Sequence, residues 1–166
     1  YNGNIQSRVT RSIVSAYTDS SYGGSSIYNY SPVLFNHEIL DSNGEYNPST
    51  GIFTAKRDMI VKAHCCNWAN NSINTTTNKG LSCYIIHNST NVARGQISIH
   101  GKISESYGDD SIFTSASCNC SQIINMSAGD TITFKFSYEY ASISGTSGRR
   151  DRTYMNIEEI DSMIDG

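Results

Sequence analysis

Apolar and polar residues alternate with a period of two through much of this chain. Between residues 130 and 140, Ile132, Phe134, Phe136, Tyr138 and Tyr140 occupy one parity, while Thr131, Thr133, Lys135, Ser137 and Glu139 occupy the other. That pattern predicts a strand with one buried face, since a helix would repeat its apolar positions every three or four residues. Residues 59–68 keep the same rhythm, with Met59, Val61, Ala63 and Cys65 on one side and Lys62 and His64 on the other. Leu81, Cys83 and Ile85 alternate with Ser82, Tyr84 and Ile86, and residues 92–99 resume after a turn at 88–91, so these two stretches predict a hairpin. Further strands are predicted at 12–17, 112–120 and 154–160, the last with Met155 and Ile157 on one face. Residues 18–31, 70–80, 104–111 and 141–152 are dominated by small and polar residues and predict loops.

The stretch 32–55 organises the rest. It holds two more apolar runs, Val33-Leu34-Phe35 and Ile52-Phe53, separated by Asn43-Gly44, Asn47-Pro48 and Thr50-Gly51. Gly44 and Gly51 accept positive φ without a Cβ clash, and Pro48 pushes Asn47 towards extended geometry. A strand, a tight corner and a second strand are predicted, with no room for a helix. In all, about eight to ten short strands with frequent turns predict an all-β antiparallel sandwich or barrel.

Composition narrows the picture. At 166 residues the chain has the size of one domain with a real core. Residues 1–11 are polar and unpatterned and read as the end of an upstream connector or stalk, leaving 12–166 as the globular domain. Only 16% of residues are charged and the net charge is −3, which argues against a nucleic-acid partner, whose binding needs a basic face. No apolar run approaches the roughly 18 residues of a membrane span, so membrane insertion is not expected. Five cysteines cannot all pair within one chain. Cys65 and Cys66 point to opposite faces of their strand and Cys118 and Cys120 share one, a spacing that favours buried free thiols over a disulfide framework. A zinc site from Cys118, Cys120 and a histidine would need the fold to bring that histidine to them.

The order of the pieces resembles the complement C1q globular-head family, which shares its jelly-roll fold with the tumour necrosis factor superfamily. The resemblance rests on Val33-Leu34-Phe35-Asn36, on Asn43-Gly44-x-Tyr46-Asn47-Pro48-x-Thr50-Gly51-x-Phe53-Thr54-Ala55, on Ala128-Gly129-Asp130 and on residues 154–157. It spans roughly 12–161, and departs at Lys56-Arg57-Asp58, where the family usually carries Pro and then Gly and Tyr. It implies a two-sheet antiparallel jelly-roll sandwich of about ten strands, with Phe35, Asn43, Gly44, Tyr46, Gly51, Phe53, Gly129 and Asp130 as its structural motif residues. It also implies a homotrimer, commonly at the tip of a stalk or fibre, that binds ligands through exposed loops.

On that reading the expected function is a non-enzymatic recognition head on the virion surface or at the cell surface. It would be a viral or bacteriophage fibre tip or adhesion module that binds a host glycan or protein. A structural terminal knob of a spore-coat or cell-surface filament is the alternative. Tyr28 and Tyr30 are candidate contact residues, because tyrosine offers large area at small entropic cost. Arg149, Arg150 and Arg152 are candidates to clamp a carboxylate or phosphate on a partner. No cofactor is expected, with calcium as a lesser possibility through Asp109 and Asp110, which lack a third oxygen-rich position beside them. Gly145-Thr146-Ser147-Gly148 lacks the spacing of a nucleophile elbow, and no nucleophile, base and orienting group combine, so no enzyme is predicted.

Overall fold

The period-two stretches pair into antiparallel ladders in a computed structural model that describes residues 10–18, 28–30, 32–73, 79–99, 112–139 and 153–161. Eleven strands occur among them: β1 (Ile13–Tyr17), β2 (Tyr28–Tyr30), β3 (His37–Asp41), β4 (Tyr46–Asn47), β5 (Ile52–Thr54), β6 (Met59–Ile73), β7 (Lys79–His87), β8 (Thr90–Ile99), β9 (Ile112–Met126), β10 (Thr131–Glu139) and β11 (Tyr154–Asp161). A five-stranded sheet has the order β3-β1-β11-β6-β9. A six-stranded sheet has the order β4-β5-β10-β7-β8, with β2 added beside β10. Every pairing is antiparallel, and no helix occurs among the described residues.

The core lies between the two sheets, and the inward parities are those the alternation predicts. Met59, Val61, Ala63 and Cys65 of β6 face Cys83 and Ile85 of β7 and Ile132, Phe134 and Phe136 of β10, all fully buried. Phe35 packs edge-on against Phe134 and Phe136, with ring centroids 5.6 and 6.0 Å away. Phe53 and Tyr46 close the core at the corner, and the Tyr46 hydroxyl bonds both backbone groups of Phe35: it accepts from the N–H at 3.1 Å and donates to the carbonyl at 3.2 Å.

Several boundaries differ from expectation, each for a physical reason. Residues 33–36 are not a strand: Val33 N–H donates to Phe134 O of the six-stranded sheet, whereas β3 pairs with β1 of the other. The run is where the chain crosses between sheets, with Val33 and Phe35 buried beneath it. The loop expected at 70–80 shrinks, because β6 and β9 stay paired as far as Ile73 and Ile112 and a backbone ladder does not require apolar side chains. For the same reason β9 runs on to Met126, and residues 28–30 form β2 rather than part of a loop.

One end of the sandwich is closed by short corners built from the motif residues. Gly51 has φ +69°, and a Cβ there would stand 2.5 Å from the Val33 carbonyl oxygen, so only glycine fits. Asp41 accepts from the Asn43 and Tyr46 amides, while the Asn43 side chain donates to Thr10 O and Ser12 Oγ, which ties Thr10 to the sandwich. Gly129 N–H donates to Ala55 O, and the Asp130 carboxylate accepts from Asn88 Nδ2 and Ser127 N and faces His87 Nε2 at 3.1 Å. Those bonds, that from Asn88 foremost, hold the Asp130 carboxyl below its ordinary pKa.

Candidate recognition end and assembly face

The opposite end is where the long connections leave. Ladder registers fix this: Ile73 stands opposite Ile112, Lys79 opposite Ile99 and Gly80 opposite Glu139, while Thr18 N–H donates to Thr153 O. The segments 19–27, 74–78, 100–111 and 140–152 therefore all depart from one end. Tyr28 and Tyr30 lie in β2 at this end, opposite Tyr138 and Phe136 in the ladder. Arg149, Arg150 and Arg152, and likewise Asp109 and Asp110, lie outside the described residues, within segments whose flanking strands end here.

A second surface emerges from register. On the outward side of the five-stranded sheet, Ile13, Glu158, Lys62 and Ile123 form a row across β1, β11, β6 and β9. The next row runs Leu40, Ser15, Asn156, His64 and Ser121, and the next His37, Tyr17, Tyr154, Cys66 and Asn119. Opposite charges stand cross-strand at Glu158 and Lys62, flanked by Ile13 and Ile123, which are 37% and 58% exposed. Ile160 and Leu40 are exposed on the same sheet. His37 stacks on Tyr17, and His64 tilts against Tyr154. A shallow depression of about 580 Å³ runs over Ile13, Lys62, His64, Ser121, Asn156 and Glu158.

His64 is half-buried on this face, and that burial, with Lys62 adding to it, holds its pKa below the ordinary value against a smaller opposing influence from Cys83. Burial also pushes the Cys66 thiol and the Tyr154 hydroxyl up. The sign for His64 follows from linkage: with its folded pKa depressed, the unfolded chain binds the proton more readily, so stability falls as pH drops from about 6.5 through the folded value and then levels off. Urea unfolding at stepped pH should show that slope, and His64→Gln should flatten it; an unchanged slope in the variant would mean that the titration lies elsewhere.

The sequence places a zinc-binding histidine beside Cys118 and Cys120 only if the fold permits, and among the described residues it does not. His64 points to the outer face, His37 stacks on Tyr17 and His87 bonds Asp130. All five cysteines are free thiols, with Cys65, Cys83, Cys118 and Cys120 buried and Cys66 half-buried. What sequence reasoning did not foresee is that Cys83 joins Cys65 and Cys120. Their shared inward parity was readable, but the cross-sheet pairing was not. Hydrogen bonds with Cys118, Cys120 and Cys65 hold the Cys83 thiol well below the ordinary range, while Cys118 is pushed up by its bond to Cys83 and by burial.

No protein-family model matches the chain, and no curated protein sequence matches it. Solved structures do. The globular domain of zebrafish complement 1qA protein aligns with TM-score 0.57 at 13% identity, over 93% of this chain and 99% of that one. Murine APRIL at pH 5.0 aligns with TM-score 0.59 at 12% identity, over 91% and 100%. Eiger TNF from S. frugiperda aligns with TM-score 0.59 at 10% identity, over 93% and 96%. The fold is therefore the jelly-roll sandwich shared by complement C1q heads and tumour necrosis factor proteins. At identities this low the likeness establishes architecture, and nothing about ligands passes from those proteins to this one.

Proposed function

We propose that this chain is a non-enzymatic recognition head that assembles as a homotrimer and presents the end carrying the long connections to a ligand on a host or cell surface. The observation that carries the reading is the outward face of the five-stranded sheet. A sheet face with isoleucines at 37%, 38% and 58% exposure, tyrosines, and opposite charges at one cross-strand position has the composition of an interface rather than of a solvated surface. Packing around a three-fold axis also covers the sandwich edges, which otherwise invite further strand pairing. A closed symmetric assembly then points three copies of the same end in one direction, so weak contacts add by avidity.

The finer setting follows the same logic. A fibre tip of a virus or bacteriophage, joined to an upstream stalk and exposed on the virion or cell surface, suits a chain whose five cysteines are free thiols, since assembly in a reducing cell needs no disulfides. The ligand is a surface glycan or protein reached through Tyr28, Tyr30 and the segment containing Arg149, Arg150 and Arg152.

Sedimentation of the purified chain should give three chains per particle at micromolar concentration, and Ile123→Glu, which places a carboxylate in the buried interface, should give folded monomers. A monomeric wild-type chain would end the trimer reading. Glycan-array and host-cell binding by the trimer should disappear when Arg149, Arg150 and Arg152 are changed to alanine. Trimerisation without any binding would instead favour a structural knob.

A further inference from the structure

Three sulfurs from two sheets converge inside the sandwich. Cys65 and Cys120 stand opposite each other in the β6–β9 ladder with their Sγ atoms 3.6 Å apart. Cys83 reaches across from β7 to within 3.5 Å of the Cys120 sulfur, and all three sulfurs lie within 4.8 Å of one another. Cys118, two residues before Cys120, is buried on the same face of β9. Gly95, opposite Cys83 on β8, completes the wall. A Cβ there would stand 1.9 Å from the Asn119 carbonyl oxygen and 3.0 Å from the Cys83 sulfur, so the glycine brings backbone against the cluster where no side chain fits.

Packing alone does not ask for this arrangement. A buried thiol behaves as a small hydrophobe and is content among aliphatic neighbours, yet three of the chain's five cysteines bring their sulfurs together at one point. A disulfide would close one pair to about 2.05 Å and strand the third sulfur. Zinc–sulfur bonds of about 2.3 Å instead set tetrahedral sulfurs about 3.8 Å apart and trigonal ones about 4.0 Å apart. The observed 3.5 and 3.6 Å separations need to open by only a few tenths of an ångström.

We propose that Cys65, Cys83 and Cys120 bind one soft d10 metal ion, zinc(II) or copper(I). Each thiol gives its proton to solvent as its metal–sulfur bond forms, and nothing is oxidised or reduced. An all-sulfur donor set selects these ions against calcium and magnesium, which take oxygen. The bound ion ties β6 and β9 to β7 and so staples the two sheets beneath the assembly face.

The test is titration of zinc(II), and separately of copper(I), into the reduced, chelator-stripped chain without oxygen. One ion per chain should survive desalting, and the melting temperature should rise by roughly 8 to 16 °C at a free-metal concentration a thousand times Kd. The ion that displaces the other is the resident one. Cys83→Ser should lose retention while Cys66→Ser keeps it. Cobalt(II) bound to the unmutated chain should show intense sulfur-to-metal absorption, a readout that does not depend on any variant folding. Retention of neither ion, a weak aqua-cobalt spectrum, or retention undisturbed by Cys83→Ser would overturn the proposal.

Discussion

Phe134→Ala should lower the unfolding free energy by about 3–5 kcal/mol, the range for deleting a buried aromatic ring whose neighbours cannot close over the space. Phe134 is fully buried, stands opposite Ile85 in the β10–β7 ladder, and receives the edge of Phe35 at 5.6 Å. Those contacts come from two strands and from the crossing segment that carries Phe35, so no single shift of backbone refills the cavity. Phe53→Ala, at the buried corner, should fall in the same range. Thr133→Ala, one position away and only half-buried, should stay within about 0.5 kcal/mol. Urea unfolding with an unchanged m-value is the measurement. A loss under about 1 kcal/mol at both phenylalanines would mean that the inward and outward faces of the strands are exchanged.

How much of this was legible without coordinates depends on the range over which each feature is specified. Inward parity is local, so β10 and the buried side of β6 could be read residue by residue. The corner at 41–55 was legible because the geometry at Gly44 and Gly51 is set by steric rules within a few residues. Strand ends were less so. The outer parts of β6 and β9 carry Asn, Ser and Thr on both parities, and what makes them strands is each other, across a ladder from Met59–Met126 to Ile73–Ile112. The thiol cluster was half-legible: each cysteine's face could be assigned, but their meeting required knowing that β6 and β9 share one sheet and β7 lies in the other. The outward rows of the five-stranded sheet are a property of register alone, so the assembly face was invisible beforehand. Composition marks the candidate recognition residues, and topology adds that the segments containing them leave from one end.

Glu159 is the clearest case of a residue the pattern misreads. It sits on the inward parity of β11 after Met155 and Ile157 and is only 1% exposed. Its Oε2 accepts from the Ser12 amide at 2.7 Å and from Arg57 Nη2 at 2.5 Å, while Arg57 also donates to Thr10 O. The partners lie 147 and 102 residues away in sequence, so no local signal marks the carboxylate as one that belongs inside. Glu159→Ala should cost about 3 kcal/mol, the lower end for breaking a buried ion pair, because the Arg57 side chain is 27% exposed and can turn towards water. Changing both partners, as Arg57→Met with Glu159→Leu, should recover most of that loss, since it removes two desolvated charges together and leaves only the Ser12 amide without its acceptor. Equal losses in the single and double variants would show that the carboxylate matters as the acceptor for Ser12 and not as the counter-ion of Arg57. Recovery would show that the pair contributes little net stability and that its effect is positional: it ties the entry of β1, the corner at 56–57 and the exit of β11 at one end of the sheet whose outer face we assign to assembly.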